Sequence, residues 1–148
     1  MIKIYKPRYL KHSTFSEFRF IFTSKFSVSI HRIESADPLR SFPHDHGCDF
    51  YSFILKGGYG EKFYKNIANG ANNSIDRKFK LFSSHIFRGH SAHIITQCKK
   101  ITYTIFITWN HDTRPPLIYT PDGAVTFGEY FSKKLFIKYG NQDPVEEL

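Results

Sequence analysis

Apolar and polar residues alternate along most of this chain with the two-residue period of β-strands. The alternation is regular over 26–33 and over 101–109. In the second segment, isoleucine and tyrosine share one face and threonine lies on the other. Residues 128–139 form an amphipathic segment with helical period. The pattern therefore predicts an all-β fold with one short C-terminal helix. Further strands are predicted over 15–25, 49–56, 59–65, 78–82, 85–88, 93–97, 117–119 and 124–127.

Glycine-rich turns separate several of these strands. Gly57-Gly58 is a two-residue hairpin signal between the strands at 49–56 and 59–65. Thr120-Pro121-Asp122-Gly123 is a second turn signal, between two of the later strands.

Many short strands at even spacing indicate a sandwich or a barrel. We interpret residues 1–148 as a single domain, with an arm over 1–14 and a flexible tail over 141–148. The polar segment 66–76 is predicted to be a surface loop inside that domain, because the β pattern resumes directly after it.

Composition narrows the class of protein. Aromatic residues make up 18% of the chain, which suits a β-rich interior. No apolar run approaches the ~20 residues of a membrane span, and the N-terminus lacks the apolar core of a signal peptide, so we expect a cytoplasmic protein without a membrane partner.

Two cysteines are too few for a disulfide framework. The net charge of +8 favours a small anionic ligand, while no motif supports a nucleic-acid partner.

The clearest chemical signal is a pair of histidines in Pro43-His44-Asp45-His46-Gly47. Residues i and i+2 of an extended strand point to the same face, so His44 and His46 are expected to project side by side. Neutral imidazole is the commonest protein ligand of zinc, iron and copper. The pair predicts a metal site that needs a third ligand, and both His90 and His93 are available.

The arrangement of these motifs resembles the cupin superfamily, in particular a group of small uncharacterised bacterial and phage cupins. The resemblance spans roughly residues 28 to 131. It implies a double-stranded β-helix, or jelly roll, with a ligand site at the barrel mouth. The residues that carry it are Ile30-His31-Arg32-Ile33, Asp37, His44-Asp45-His46, Asp49-Phe50, Gly57-Gly58-Tyr59-Gly60-Glu61, Arg88, His93 and Tyr119-Thr120-Pro121-Asp122-Gly123.

Residue by residue, the resemblance implies that His44 and His46 are the paired ligands of the first cupin motif and His93 the ligand of the second. The glutamate ligand of the first motif is missing, because Phe50 and Tyr51 stand in its place. The implied site therefore has three histidines, with Fe(II) or Zn(II) as its divalent ion. Thiol dioxygenases resemble this pattern, and Cys48 lies two residues after His46.

Several other residues are candidates for the same site. Glu61 and Tyr59 could supply acid–base groups. Asp49 and Cys48 are expected beside the ligands, with Asp49 as a hydrogen-bond acceptor. An arginine is expected to hold an anionic ligand by paired hydrogen bonds. Arg32, Arg40 and Arg88 are the main candidates, with Arg114 as a fourth.

Three hypotheses for the function follow. The first is a metal-dependent enzyme, such as a dioxygenase, that acts on a small anionic molecule. The second is a non-catalytic binding module that captures a small anion such as a nucleotide signal. The third is an epimerase-like cupin that uses a histidine and a tyrosine as base and acid, without metal. The resemblance is also compatible with a homodimer, in which the phenylalanine-rich N-terminal strand is an exchanged edge.

Overall fold

A computed structural model describes residues 8–9, 15–36, 42–65, 67, 73–98, 100–133 and 135 of the chain. Within these residues the fold is almost entirely β, as the alternating pattern predicts. The strands are β1 Arg8–Tyr9, β2 Phe15–Phe22, β3 Phe26–Ile33, β4 Asp49–Lys56, β5 Tyr59–Tyr64, β6 Ser74–Phe79, β7 Ser84–Phe87, β8 Ala92–Gln97, β9 Thr102–Trp109, β10 Leu117–Thr120 and β11 Gly123–Thr126, followed by helix α1 Phe127–Ser132.

Two antiparallel sheets face each other. The larger has the strand order β1-β2-β3-β9-β4-β7, and the smaller has the order β6-β5-β8. The strands β10 and β11 form a separate two-stranded ribbon. Since neighbours in each sheet are distant in the sequence, long-range pairing defines the architecture.

The predicted hairpin at Gly57-Gly58 is wrong. Strand β4 belongs to the larger sheet and β5 to the smaller, so this turn carries the chain from one sheet to the other. Gly57 has φ +79°, and the Gly58 N–H donates to Thr102 Oγ1 at 2.9 Å. The glycine pair therefore makes a tight corner against β9, because the backbone approaches its neighbour too closely for a side chain.

Two further elements differ in extent from the sequence prediction. Strand β6 begins at Ser74, inside the segment predicted as a loop. The helix begins at Phe127, where Thr126 caps it: the Thr126 hydroxyl accepts from the Glu129 N–H, and the Glu129 carboxylate accepts from the Thr126 N–H. The later part of the predicted helix, 136–139, and the predicted tail lie outside the described residues.

The inner wall of the larger sheet is polar over much of its area. The buried positions of β3 include Ser27, Ser29 and His31, and those of β9 include Thr104 and Thr108. The aliphatic residues Val28 and Ile30 of β3 and Ile105 and Ile107 of β9 occupy the other, partly exposed face. Some of these polar groups are paired inside the barrel: Ser27 Oγ lies 2.7 Å from Thr108 Oγ1, and Ser29 Oγ lies 3.1 Å from His31 Nε2.

Three apolar clusters close the rest of the interior. Phe50, Phe87 and Phe106 form an aromatic layer below the barrel mouth, and Ile33, Ile54 and Tyr59 pack at the opposite end. Helix α1 seals the third cluster, which contains Phe42, Ile118 and Tyr130. Among the described residues, α1 is far too short to cross a bilayer, and no membrane-spanning helix is found.

Replacing Gly57 with alanine is expected to destabilise the protein by about 2 kcal/mol or more, because a Cβ atom there would lie 2.5 Å from Thr102 Oγ1 in a left-handed conformation. Chemical denaturation measures the change. Gly60→Ala is the matched control, since its Cβ would meet its nearest neighbour at 3.6 Å. Equal stability of the two variants would contradict the corner assignment.

Candidate metal centre

His44, His46 and His93 meet at the mouth of the barrel. One potential ligand atom from each lies within 4.8 Å of the others. The ring centroids of His44 lie 5.3 Å from those of His46 and 4.9 Å from those of His93. The structure therefore brings together the pair predicted by strand parity and the third histidine implied by the cupin resemblance.

Backbone pairing holds the histidine segment against the smaller sheet. The His44 N–H donates to the His93 carbonyl at 3.0 Å, and the His93 N–H donates back to the His44 carbonyl at 2.9 Å. On the other side, the Asp45 N–H donates to the Leu117 carbonyl at 3.0 Å. The segment thus extends the small sheet towards β10, and the extended backbone sends His44 and His46 to one side.

Asp45 projects to the opposite side and anchors this segment. Its fully buried carboxylate accepts hydrogen bonds from the Leu117 N–H at 2.9 Å, the Tyr119 hydroxyl at 2.8 Å and Arg114. Burial and the Asp45 charge raise the pKa of Tyr119 to about 12, so the tyrosine remains a donor. The sequence pattern did not single out Asp45 for this role, although the alternation of side chains around the histidine pair could have indicated it.

Glu61 orients the third histidine. Its buried carboxylate accepts a hydrogen bond from His93 Nδ1 at 2.6 Å and pairs with Arg77. Burial opposes ionisation, yet His93 and Arg77 outweigh it and lower the pKa of Glu61 to about 2. The carboxylate is therefore an acceptor at neutral pH, and Nδ1 of His93 carries the proton.

This tautomer directs the lone pair of His93 Nε2 into the cluster. His46 Nε2 lies 2.9 Å from it. Burial, followed by the repulsion that a second positive charge beside His93 and His44 would meet, lowers the pKa of His46 well below its usual range, so its imidazole is neutral at neutral pH. Three convergent imidazoles, one of them oriented by a carboxylate, are a donor set that suits a divalent transition metal. The residues present therefore fit such an ion.

His90, the alternative third ligand, lies in the exposed turn between β7 and β8, away from this cluster. It lines a cleft of about 460 Å³ on the rim together with Cys48 and Asp49. The Asp49 carboxylate accepts from the Gly89 N–H at 2.9 Å, from Arg88 and from Asn110, and so ties two rim loops together. Burial, with the neighbouring aspartates, raises the pKa of Cys48 to about 11.

Tyr59 lies deeper in the barrel than the three histidines. Its hydroxyl lies 3.3 Å from Nε2 of His85, whose ring stacks on Phe79 with 4.0 Å between centroids. Burial raises the pKa of Tyr59 and lowers that of His85 to about 4. His85 was not singled out from the sequence, because an isolated histidine on a strand carries no distinguishing pattern.

The predicted arginines do not line the inner wall where the structure describes them. Arg32 has the outward parity of β3 and pairs with Glu34. Arg88 pairs with Asp49 at 3.0 Å on the rim, with 56% of its side chain exposed. Arg114 pairs with Asp45 below that rim. Arg40 lies outside the described residues.

No protein-family model matches the sequence, and no curated protein matches it significantly. Among solved structures, hydroxypropylphosphonic acid epoxidase from S. wedmorenis is similar, with 13% identity over 65% of this chain and 51% of that chain at a TM-score of 0.52. HppE in its Fe(II) form with substrate shows 12% identity over 73% of this chain and 56% of that chain, with a TM-score of 0.54. An RmlC-like cupin from Shewanella frigidimarina shows 9% identity over 66% of this chain and 77% of that chain, with a TM-score of 0.49.

The chain spans about half the length of the HppE chains that it matches. At these identities the likeness concerns the fold alone. The likeness to the two HppE structures, together with the two antiparallel sheets and the single short helix among the described residues, confirms the predicted cupin fold. The site defines the class further, as a cupin-fold protein with three histidines that could hold a metal ion.

His85 predicts a specific pH dependence of stability. Its folded-state pKa of about 4 lies below the ordinary 6.5, so protons bind the unfolded chain preferentially, and stability falls as the pH drops from 6.5 to 4. Between pH 6.5 and pH 4, the free energy of unfolding of the His85→Phe variant should fall by up to about 3 kcal/mol less than that of the wild type. Denaturation of the metal-free proteins across this pH range measures the difference. Ile86→Phe, on the outer face of the same strand, should keep the wild-type dependence, and a His85→Phe profile identical to wild type would contradict the assignment.

Proposed function

We propose that this protein is a metal-dependent enzyme, of the Fe(II) or Zn(II) type and dioxygenase-like, that acts on a small anionic molecule. The observation that carries the proposal is the convergence of His44, His46 and His93, with the lone pair of His93 directed inwards by Glu61. A divalent ion held there would supply Lewis-acid or redox chemistry, with coordination positions left open for small molecules. The fold neighbour HppE has been solved with Fe(II) and with Co(II), which is compatible with this chemistry.

The surrounding residues determine what kind of step the site favours. Glu61 is committed to His93 and Arg77, and its pKa of about 2 makes it a poor proton donor near neutral pH. Tyr59 is buried beside His85, and its raised pKa disfavours the tyrosinate. Both groups are therefore better suited to orienting their neighbours than to exchanging protons with a substrate. This supports chemistry at the metal over a metal-free acid–base mechanism.

The chain's own contribution would be binding, orientation and exclusion of water. The aromatic layer of Phe50, Phe87 and Phe106 lies directly below His46, with the Phe50 ring centroid at 5.0 Å. An apolar floor keeps bulk water from reaching the cluster from below and strengthens electrostatic interactions above it.

A non-catalytic binding module is the second candidate. The commitment of Glu61 and Tyr59 to partners favours it as well, because capture of an anion needs no group that exchanges protons. Metal content separates the two candidates. A tightly held ion at unit stoichiometry supports the enzyme, whereas a metal-free protein that co-purifies with a small molecule supports the binding module.

Replacement of single histidines tests the metal centre. The wild type is expected to bind one divalent ion, and His44→Ala, His46→Ala and His93→Ala should each retain at most about a tenth of that metal, since two imidazoles no longer chelate it. Metal analysis after reconstitution with Fe(II) or Zn(II) measures this. His90→Ala is the control and should bind like the wild type. A wild-type protein that binds no ion would refute the enzyme proposal, and loss of metal in His90→Ala alone would refute the choice of His93.

Glu61→Gln is expected to weaken zinc binding by about 10- to 100-fold, because the neutral amide holds the His93 tautomer less firmly and removes a charge near the ion. Competition titration against a chelator measures the affinity. Glu129→Gln makes the same chemical change at the exposed helix cap and should leave zinc affinity unchanged. Equal affinities for the two variants would show that Glu61 does not orient the ligand.

A further inference from the structure

Three turns meet at the end of the barrel opposite the histidine cluster. With their flanking residues they join β4 to β5, β6 to β7 and β8 to β9, over 55–58, 78–83 and 100–101. The Phe82 N–H donates to the Ile54 carbonyl at 3.0 Å, which ties the second turn to the end of β4. Gly57 approaches the third turn so closely that a Cβ atom there would lie 2.8 Å from the Ile101 carbonyl oxygen. The three turns therefore form one continuous surface, which we call the basal surface.

The basal surface is positively charged. Its exposed lysines are Lys56, Lys78, Lys80 and Lys100. All but Lys56 line a cleft of about 350 Å³, and no carboxylate is among the described residues that line it. In the part of the chain that the structure describes, none of these four ammonium groups has an ion pair or a hydrogen bond. Glu34, which follows β3 at this end of the barrel, is neutralised by Arg32. The chain itself therefore leaves this charge uncompensated.

Each of the three turns also exposes an apolar side chain next to a lysine. The sequence neighbours are Leu55-Lys56, Lys80-Leu81-Phe82 and Lys100-Ile101. The exposed fractions are 36% for Leu55, 50% for Leu81, 71% for Phe82 and 40% for Ile101. A single exposed apolar residue is ordinary, but four of them on contacting turns form an apolar patch among cations.

An unfavourable backbone conformation holds Phe82 in this exposed position. Its φ is +64°, and among the described residues only Asn110 is another non-glycine residue with a positive φ. Asparagine tolerates this left-handed region, whereas a residue with a bulky ring does so at a cost. The Phe82 ring lies 6.4 Å from that of Phe53 between centroids and stays largely exposed, so packing within the chain does not account for the strain. A strained residue that holds an apolar ring in solvent indicates a contact outside the chain.

An anionic lipid bilayer complements both properties of the basal surface. Its charged headgroups attract clustered lysines, and its interfacial layer buries apolar side chains that project from the protein. A small soluble anion would account for the lysines of the cleft but not for Leu81 and Phe82. A nucleic acid would leave the aliphatic side chains without a partner, because its binding depends mainly on phosphate contacts.

We propose that the basal surface docks this protein on anionic lipid bilayers, with its lysines at the headgroups and Leu81 and Phe82 in the interfacial layer. The chain would lie on the bilayer without spanning it. This revises the expectation of a protein without a membrane partner, which considered only spanning segments and signal peptides. The docked barrel would turn the histidine cluster towards the aqueous phase. The proposal is independent of the metal chemistry.

Sedimentation of the full chain with lipid vesicles tests the charge contribution. The wild type is expected to bind vesicles of phosphatidylcholine with about a quarter phosphatidylserine at least tenfold more tightly than vesicles of phosphatidylcholine alone, and to dissociate at about 1 M salt. The double variant Lys80→Gln/Lys100→Gln should lose about tenfold or more in affinity for the anionic vesicles, because both charges lie at the headgroups. Lys25→Gln/Lys65→Gln removes the same charge at the opposite end of the barrel and should bind within about twofold of wild type.

Phe82→Asn isolates the apolar contribution. Asparagine suits the left-handed conformation, so the turn should keep its geometry while the ring is lost, and affinity for the anionic vesicles should fall by about tenfold. Ile86→Thr is the control, because it removes an exposed apolar side chain from the outer face of β7, and it should bind within about twofold of wild type.

Tryptophan fluorescence reports insertion of the turn directly. In a Trp109→Phe background, Phe82→Trp gives the chain a single tryptophan in the turn, and its emission should shift to shorter wavelength with anionic vesicles. The proposal is overturned if the wild type does not bind anionic vesicles, if Phe82→Asn binds like the wild type, if the emission does not shift, or if the Lys25/Lys65 variant loses as much affinity as the Lys80/Lys100 variant. Binding of inorganic pyrophosphate that depends on Lys80 and Lys100, without binding of vesicles, would assign the cleft to a soluble anion and refute docking.

Discussion

The organisation of this barrel depends on the pairing of the buried Glu61 carboxylate with His93 and Arg77. A charge with no exposed surface is tolerated only if it is paired and hydrogen-bonded, and here His93 on one side and Arg77 on the other meet that requirement. Because these three residues come from β5, β8 and β6, the pairing also fixes the small sheet. The same contact orients a histidine of the candidate metal centre, so stability and the site share one interaction.

The larger sheet turns a largely polar face towards the interior of the barrel. Ser29, Thr104 and Thr108 are buried, whereas aliphatic neighbours on the same strands are half-buried on the outside. Each buried hydroxyl needs a hydrogen-bond partner, and the pairs Ser27–Thr108 and Ser29–His31 supply partners inside the barrel. The interior is therefore divided into an aromatic floor, an aliphatic base and a polar wall, and the polar wall faces the histidine cluster.

The strand pattern predicts much of this fold, and the reasons for its failures are physical. Alternation located most strands, and strand parity alone placed His44 beside His46. It could not choose His93 over His90, because that choice depends on where a short strand starts. The glycine corner at Gly57 carries the same local signal as a hairpin, and only long-range pairing distinguishes them.

The ion pair of Arg19 with Glu17, opposite the buried residues Ser29 and His31 of β3, escaped prediction for a related reason. Alternation separates two faces but does not say which is interior, and a run of phenylalanines suggests the wrong one when the inner wall is polar. Phe18 is 37% exposed, while the charged residues on either side of it are half-buried. Burial of a charge depends on partners brought from other strands, and local sequence carries no record of them.

The separation of the three histidines along the chain has a consequence for how the protein folds. His46 and His93 are 47 residues apart, and the hydroxyl pair on the opposite wall joins residues 81 apart. Such contacts close large loops, so the barrel is expected to form slowly and its mouth to assemble only once both sheets are in register. An ion that binds this late-formed arrangement stabilises the native state alone. Its main effect would be to lower the rate of unfolding, so the lifetime of the folded chain would depend on the supply of metal.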